Sequence, residues 1–104
     1  MGRKLRWLIV TRVGNNLNPT LTALASAGLE PWWSWERVED GAALPLALEG
    51  SAWDVLIYDM RSGISFDHVR ATVELHAPEL PIVVAGSLTT LGIDVKRALG
   101  LPED

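Results

Sequence analysis

The 104-residue sequence contains no cysteine. Disulfide bonds, thiolate metal sites and a cysteine nucleophile are therefore excluded, and a reducing cytoplasm is the compartment we expect. Positive charge is also scarce, with 9 Lys and Arg against 13 Asp and Glu and a net charge of −4. This balance lacks the basic footprint of a dedicated nucleic-acid binder, so we expect no direct contact with DNA or RNA.

Long hydrophobic runs are missing as well. The apolar segment that follows the basic residues near the amino terminus is only about five residues long, too short for a signal-peptide core or a membrane span. Hydrophobic residues nevertheless make up 48% of the sequence and charged residues 21%, which is a globular composition. We therefore expect one domain over 1–104, with a modest core and no contact with a membrane.

Strand-like and helix-like segments alternate along the sequence. Apolar runs predict strands over 5–10, 29–38, 53–58 and 81–85. Residues typical of helix starts and ends predict helices over 19–27, 42–48, 66–76 and 93–99. This alternation predicts an α/β domain, with a parallel sheet between two layers of helices.

An aspartate ends the apolar run of the third predicted strand, in the stretch "VLIYDM". Ligands of α/β domains bind in the crevice beyond the carboxyl ends of the strands. Asp59 is therefore the first candidate functional residue.

Several stretches occur in an order that is typical of one protein family. They are "LRWLIV" with the loop after it, "AGLEPWWSW" before Asp40-Gly41, "WDVLIYDM", "HAPELPIVVAGS" and "KRALGLPED". Together, and over essentially the whole chain, they resemble the receiver domains of bacterial two-component response regulators. The resemblance implies a flavodoxin-like α/β/α fold with strand order 2-1-3-4-5. Its fifth strand would be cut off by truncation, supplied by another chain or absent because the fold closes differently.

Receiver domains accept a phosphoryl group from a histidine kinase on an aspartate after the third strand, with Mg²⁺ as cofactor. By this resemblance Asp59 is the phosphoacceptor position. Thr11 and Arg12 stand where the family has two metal-binding acids, and Gly86, with Ser87 one residue late, stands where it has a Ser or Thr. The loop "MRSGIS" is shorter than usual and lacks the family's proline, and the family's lysine on a fifth strand has no counterpart.

We therefore expect Asp59 to be an inactive remnant, paired with Arg12 across the crevice. A guanidinium at the metal position favours the ionised carboxylate and discourages a cation. The expected function is a phosphorylation-independent receiver-like module for protein–protein interaction or dimerisation in bacterial signalling or transcriptional regulation, with no catalysis, metal or cofactor. Two alternatives stay open: a working phosphoacceptor at Asp59, and a flavodoxin-like domain that binds an anion near Gly14, Asn15 and Asn16.

The two histidines do not change this expectation. His68 and His76 have no acidic or thiol partner at the spacing of metal ligands. We expect both to lie on the surface of the third helix.

Tryptophan is unusually frequent, with five Trp beside one Tyr and one Phe. Trp32, Trp33 and Trp35 fall in one four-residue stretch of the second predicted strand, where Pro31 suggests an edge position. One interpretation is that these side chains pack under the helices. The other is that Trp32 or Trp35 is exposed and anchors a partner, because Trp is enriched at interface hot spots.

The fourth predicted strand, "PIVVA", would form an unpaired apolar edge. Such edges invite pairing with another chain. We therefore expect a protein partner or a second copy of this chain, with a homodimer favoured.

Overall fold

A computed structural model describes residues 5–12, 14, 18–26, 33–50, 52–85 and 88–100. The elements alternate as predicted: β1 (Leu5–Val10), α1 (Asn18–Ser26), β2 (Trp33–Val38), α2 (Leu44–Gly50), β3 (Val55–Tyr58), α3 (Phe66–His76), β4 (Ile82–Val84) and α4 (Leu88–Leu99). Among the described residues, no helix has the length and apolar character that crossing a membrane requires.

The four strands form one parallel sheet in the order β2-β1-β3-β4. The central strands β1 and β3 are buried on both faces, as their nearly continuous apolar sequences predict. The edge position predicted for β2 is confirmed, and β4 is the other edge. The chain therefore has the flavodoxin-like α/β fold, and the predicted fold class is confirmed.

Two hydrophobic cores lie on opposite faces of the sheet. Alternate residues of β1 contribute to each core, because successive side chains of a strand point to opposite faces. One core contains α1 and α4 and is formed by Trp7, Ile9, Leu24, Val55, Ile57, Val83, Leu91 and Val95. The other contains α2 and α3 and is formed by Leu8, Val10, Val38, Leu44, Leu48, Leu56, Tyr58, Val69 and Val73.

The bounds of α3 agree with the sequence pattern. The Ser65 hydroxyl accepts a hydrogen bond from the backbone N–H of His68, so Ser65 is the predicted N-cap. The buried residues Val69 and Val73 fall one turn apart on the face that covers the sheet. The helix ends at His76, two residues before Pro78.

Two helices differ from their predicted bounds. Helix α2 begins at Leu44 rather than at residue 42, because Asp40 holds Ala42 and Ala43 in a turn through hydrogen bonds of 2.9 and 3.0 Å. Helix α4 begins at Leu88 rather than at Ile93, five residues early. The helix runs through Gly92, a poor helix former, because tertiary packing of this helix on the sheet outweighs local propensity.

Two strands are shorter than predicted. Strand β3 begins at Val55 rather than Trp53, since the Asp54 carboxylate turns back to accept a hydrogen bond of 2.8 Å from the backbone N–H of Arg6. Strand β4 covers only Ile82–Val84. Residues 29–32 of the second predicted strand lie outside the described residues, as does residue 27 of the first predicted helix.

The position of α4 separates this fold from the five-stranded order that the family resemblance implies. Crossover connections between parallel strands are right-handed, which puts α1 on one face and α2 and α3 on the other. A connection from β4 to a fifth strand beyond it would need a helix on the face of α2 and α3. Helix α4 packs instead beside α1. Helix α4 therefore lies on the opposite face of the sheet from the helix that would lead to a fifth strand in that order.

Substitution of Leu91 tests the packing of α4. Leu91 is fully buried, whereas Ile93 on the same helix is 40% exposed. Leu91→Ala is expected to lower the free energy of unfolding by about 2–5 kcal/mol, because it leaves a cavity between α4 and the sheet. Urea unfolding measures the change, and Ile93→Ala is the control, with an expected effect below about 1 kcal/mol. Small, equal effects of the two substitutions would show that α4 does not pack on this face.

Candidate functional site

Asp59 lies where β3 ends, at the carboxyl edge of the sheet. Its backbone N–H donates to the carbonyl of Val10 at 2.9 Å, which fixes it beside the end of β1. Thr11, the residue after β1, is fixed in the same way by a 2.9 Å bond from its N–H to the carbonyl of Val38. Only 5% of Asp59 is exposed. The ends of three strands thus hold a buried carboxylate at the position where α/β domains bind ligands.

Both oxygens of the Asp59 carboxylate accept hydrogen bonds. The Thr11 hydroxyl donates to Oδ2 at 2.7 Å. The Arg61 guanidinium donates from Nε to Oδ1 and from Nη2 to Oδ2, each at 3.2 Å. The backbone N–H of Arg61 adds a bond of 2.9 Å to Oδ1. Thr11 and Arg61 together therefore form a bidentate, charge-assisted clamp.

The loop after β3 brings Arg61 to this position. The N–H of Ser62 donates to the Asp59 carbonyl at 2.9 Å, closing a tight turn, and the bond from the Arg61 N–H to Oδ1 is the side-chain counterpart of that turn. The hydroxyls of Tyr58 and Ser62 both donate to the carbonyl of Ile64. These bonds fix the loop, so the guanidinium two residues after Asp59 lies across the carboxylate.

These contacts also set the charge of the site. Burial by itself would raise the pKa of Asp59, but the hydrogen bonds from the Arg61 side chain, the Arg61 backbone and the Thr11 hydroxyl, together with the positive charge of Arg61, lower it below its usual value. The carboxylate is thus ionised at neutral pH, and its charge is compensated within the site.

The prediction that Asp59 forms an ion pair with Arg12 is wrong. Arg12 is exposed, and its guanidinium lies over Gly63, where a Cβ atom would come within 3.4 Å of Nη2. No hydrogen bond or ion pair joins Arg12 to another described side chain. The local turn decides the partner, because it delivers both the backbone and the side chain of Arg61 to Asp59, while Arg12 has to reach across the crevice. Gly63 itself has a φ of +77°, which favours glycine.

The site does not fit Mg²⁺, the cofactor that the family resemblance implies. Mg²⁺ requires several oxygen ligands in octahedral geometry. Among the described residues, the side chains that contact the Asp59 carboxylate are the hydrogen-bond donors Thr11 and Arg61. Within the described part of the chain, no group of three or more His, Asp or Glu side chains could hold a metal ion. Gly86 and Ser87, the other predicted members of this pocket, lie outside the described residues.

The tryptophan cluster is only partly described. Trp35 is 38% exposed on the edge strand β2. It lies beside the buried Trp7 in register, and so on the α1 face of the sheet. Trp32 lies outside the described residues, and of Trp33 only its place at the start of β2 is known. The predicted role of these residues in an interface stays a prediction, and Trp35 is the described candidate.

Two features of the site region were missed in the sequence. The "MRSGIS" loop departs from the receiver pattern. An aspartate before a Ser-Gly pair also predicts a turn capped by the aspartate side chain, and such a turn favours contact between Asp59 and Arg61. His76 is predicted on the helix surface, but it is half-buried and its Nδ1 pairs with Oε2 of Glu49 of α2 at 2.8 Å. Sequence spacing could not show that pair, because it depends on how α2 and α3 pack.

The pH dependence of stability tests the clamp on Asp59. Asp59→Asn is expected to lower the free energy of unfolding by about 1–3 kcal/mol at neutral pH, because it removes the charge from a set of hydrogen bonds. The folded-state pKa lies below the unfolded value of about 3.9, so the stabilisation is fully present above that pH and is lost as pH falls through the folded pKa. Urea unfolding of both proteins should therefore give a difference that narrows towards acid pH. A difference that stays constant or widens there would contradict the clamp.

Comparison of the chain with models of protein families, with curated proteins and with solved structures gives no match. The fold class rests on the topology of the chain itself, and the site is interpreted from its own contacts. The likeness to receiver domains rests on the sequence stretches alone.

Proposed function

We propose that this chain is a receiver-like domain that works through protein–protein contacts without phosphorylation, in bacterial signalling or transcriptional regulation. The observation that carries the proposal is the occupation of both Asp59 oxygens by hydrogen bonds from Arg61 and Thr11. A carboxylate held in this way serves as the structural link between the end of β3 and its loop.

The same contacts oppose phosphoryl transfer to Asp59. An acceptor oxygen needs an open approach, and the transferred group needs cations that neutralise its charge. Here the Arg61 guanidinium is paired with the carboxylate itself. The low pKa of Asp59 further reduces its strength as a nucleophile. Phosphorylation would have to break the Arg61 and Thr11 bonds first.

The β4 edge supports self-association. The carbonyl of Pro81 and the N–H of Ala85 bond towards β3, so the backbone groups of Ile82 and Val84 face the other way in the alternating pattern of a parallel strand. The side chain of Val84 is 39% exposed. A second copy that pairs with β4 would satisfy these groups and cover Val84.

A phosphodonor experiment tests the proposal. Treatment with acetyl phosphate and Mg²⁺ should leave the intact mass unchanged, because Asp59 is occupied, and light scattering at micromolar concentration should show the same dimer before and after treatment. Asp59→Ala is the control for any mass change. A gain of one phosphoryl group that disappears in Asp59→Ala would replace the proposal with a working phosphoacceptor. A monomer both before and after treatment would show that self-association is not part of the function.

A second candidate function is the binding of a small anion at the same edge. The observation that favours it is the position of Arg12, whose exposed guanidinium lies over Gly63 in the loop that also carries Arg61. The two guanidiniums flank one short loop, and among the described residues Asp59 is the carboxylate that pairs with Arg61. A phosphate or carboxylate group could bridge them from the solvent side.

Titration with inorganic phosphate tests this second function. We expect the backbone amide signals of Ser62 and Gly63 to shift with a dissociation constant in the millimolar range or tighter, and Arg12→Gln to abolish the shift. Arg70→Gln, on the exposed surface of α3, is the charge-matched control and should leave the shift unchanged. Equal effects of Arg12→Gln and Arg70→Gln would show that phosphate is attracted nonspecifically by the positive charge of the protein.

A further inference from the structure

Two contacts set α2 and α3 side by side. The carbonyl of Gly41, just before α2, lies 3.3 Å from Nε2 of His68, and these residues are 27 positions apart. Nδ1 of His76 lies 2.8 Å from Oε2 of Glu49, and these residues are also 27 positions apart. The same offset at both ends shows that the two segments run parallel and level with each other over about two helical turns.

This register brings the two most exposed large hydrophobic residues of the described chain onto one surface. Leu46 is 73% exposed and Leu75 is 78% exposed. Leu46 lies about 160° around α2 from the buried Leu44 and Leu48. Leu75 lies about 120° and 160° around α3 from the core residues Val69 and Val73. Both leucines therefore point away from the sheet.

The two leucines are also close to each other, both along the helix axes and from one helix to the other. With an offset of 27, Leu46 lies level with Val73, about 3 Å along the axis from Leu75, and packed helices are about 8–10 Å apart. Ala71, one turn before Leu75, is exposed as well. We call Leu46, Ala71 and Leu75 the α2–α3 patch. Exposed apolar side chains that lie together on a surface are candidates for an interaction site.

The charges around the patch select the kind of partner. Helices α2 and α3 carry the carboxylates Glu49, Asp67 and Glu74, all exposed, against the single guanidinium of Arg70. With neutral histidines this is three negative charges and one positive charge. A second copy of the chain would bring these carboxylates against their own kind, which is unfavourable. An oppositely charged partner is favoured instead.

We propose that the α2–α3 patch binds an amphipathic helix of a partner protein. Apolar side chains of that helix would cover Leu46 and Leu75, and its Lys or Arg side chains would face Glu49 and Glu74. Parallel helices leave a shallow groove between them, and an apolar helix face fits such a groove. This inference rests on the proposed function and specifies the partner.

A pair of synthetic peptides tests the inference. One is an amphipathic helix of about four turns, made of Leu and Lys, and the other carries Glu in place of every Lys. We expect the Lys peptide to bind the whole chain by calorimetry and the Glu peptide not to bind. Leu46→Ser with Leu75→Ser should weaken binding about tenfold or more. Ile93→Ser, on the opposite side of the sheet, should change it less than about twofold, and circular dichroism checks that all variants are folded.

Charge is tested separately. Glu74→Gln should weaken binding of the Lys peptide and reduce its dependence on salt, because one attractive charge is lost. Asp94→Asn on α4 removes the same charge on the other side of the sheet and should have no effect. Equal effects of Glu74→Gln and Asp94→Asn would show that net charge, rather than the patch, attracts the peptide.

The outcomes separate this inference from the proposed function. Binding of the Lys peptide that the double leucine variant leaves intact, or no binding at all, would overturn the docking surface and leave the silent Asp59 untouched. If the dimer dissociates in the double leucine variant, a second copy of the chain covers the α2–α3 patch. That result also overturns the inference, but self-association of the chain stands. Failure of the proposed function has its own signature, a phosphoryl group gained at Asp59.

Discussion

The fold depends on the burial of most of its two central strands, β1 and β3. From Trp7 to Val10 in β1 and from Val55 to Ile57 in β3, no side chain reaches the solvent. A strand pair that is apolar on both faces needs helices on both faces, and right-handed crossovers then distribute the helices of the first three connections between the two faces. The residues that follow β1 and β3 are brought together as a consequence. The contact of Thr11 with Asp59 is therefore a product of the core.

A charge at the end of buried strands has to be compensated. The Asp59 carboxylate loses most of its hydration, and it recovers the lost interactions from a hydroxyl, a backbone N–H and a guanidinium. Arg61 keeps 60% of its side chain in solvent, so the cation of the pair loses little hydration of its own. Because Arg61 stays largely hydrated, the pair forms with little loss of hydration free energy on the cation.

The sequence predicts those parts of the molecule that local pattern controls. The apolar runs of β1 and β3, the cap at Ser65 and the alternation that leads to a parallel sheet could be predicted from the residues, whereas the strand order came from the family resemblance. The shift of α2 depends on the turn at Asp40, and the early start of α4 depends on the packing of Leu91 and Val95, which outweighs Gly92. Asp59 was identified as the site, but its partner was assigned to Arg12. Contacts across the crevice and contacts within a turn cannot be ranked from spacing alone.

The place of α4 beside α1 has a consequence for assembly. Because α4 packs on the α1 face, no described segment crosses the α2 and α3 face beyond β4. A neighbour related by a two-fold axis would lie antiparallel to β4. Two sheets of four parallel strands would then merge into one eight-stranded sheet, with its only antiparallel pair at the centre and with the α2 and α3 layers left on the outside.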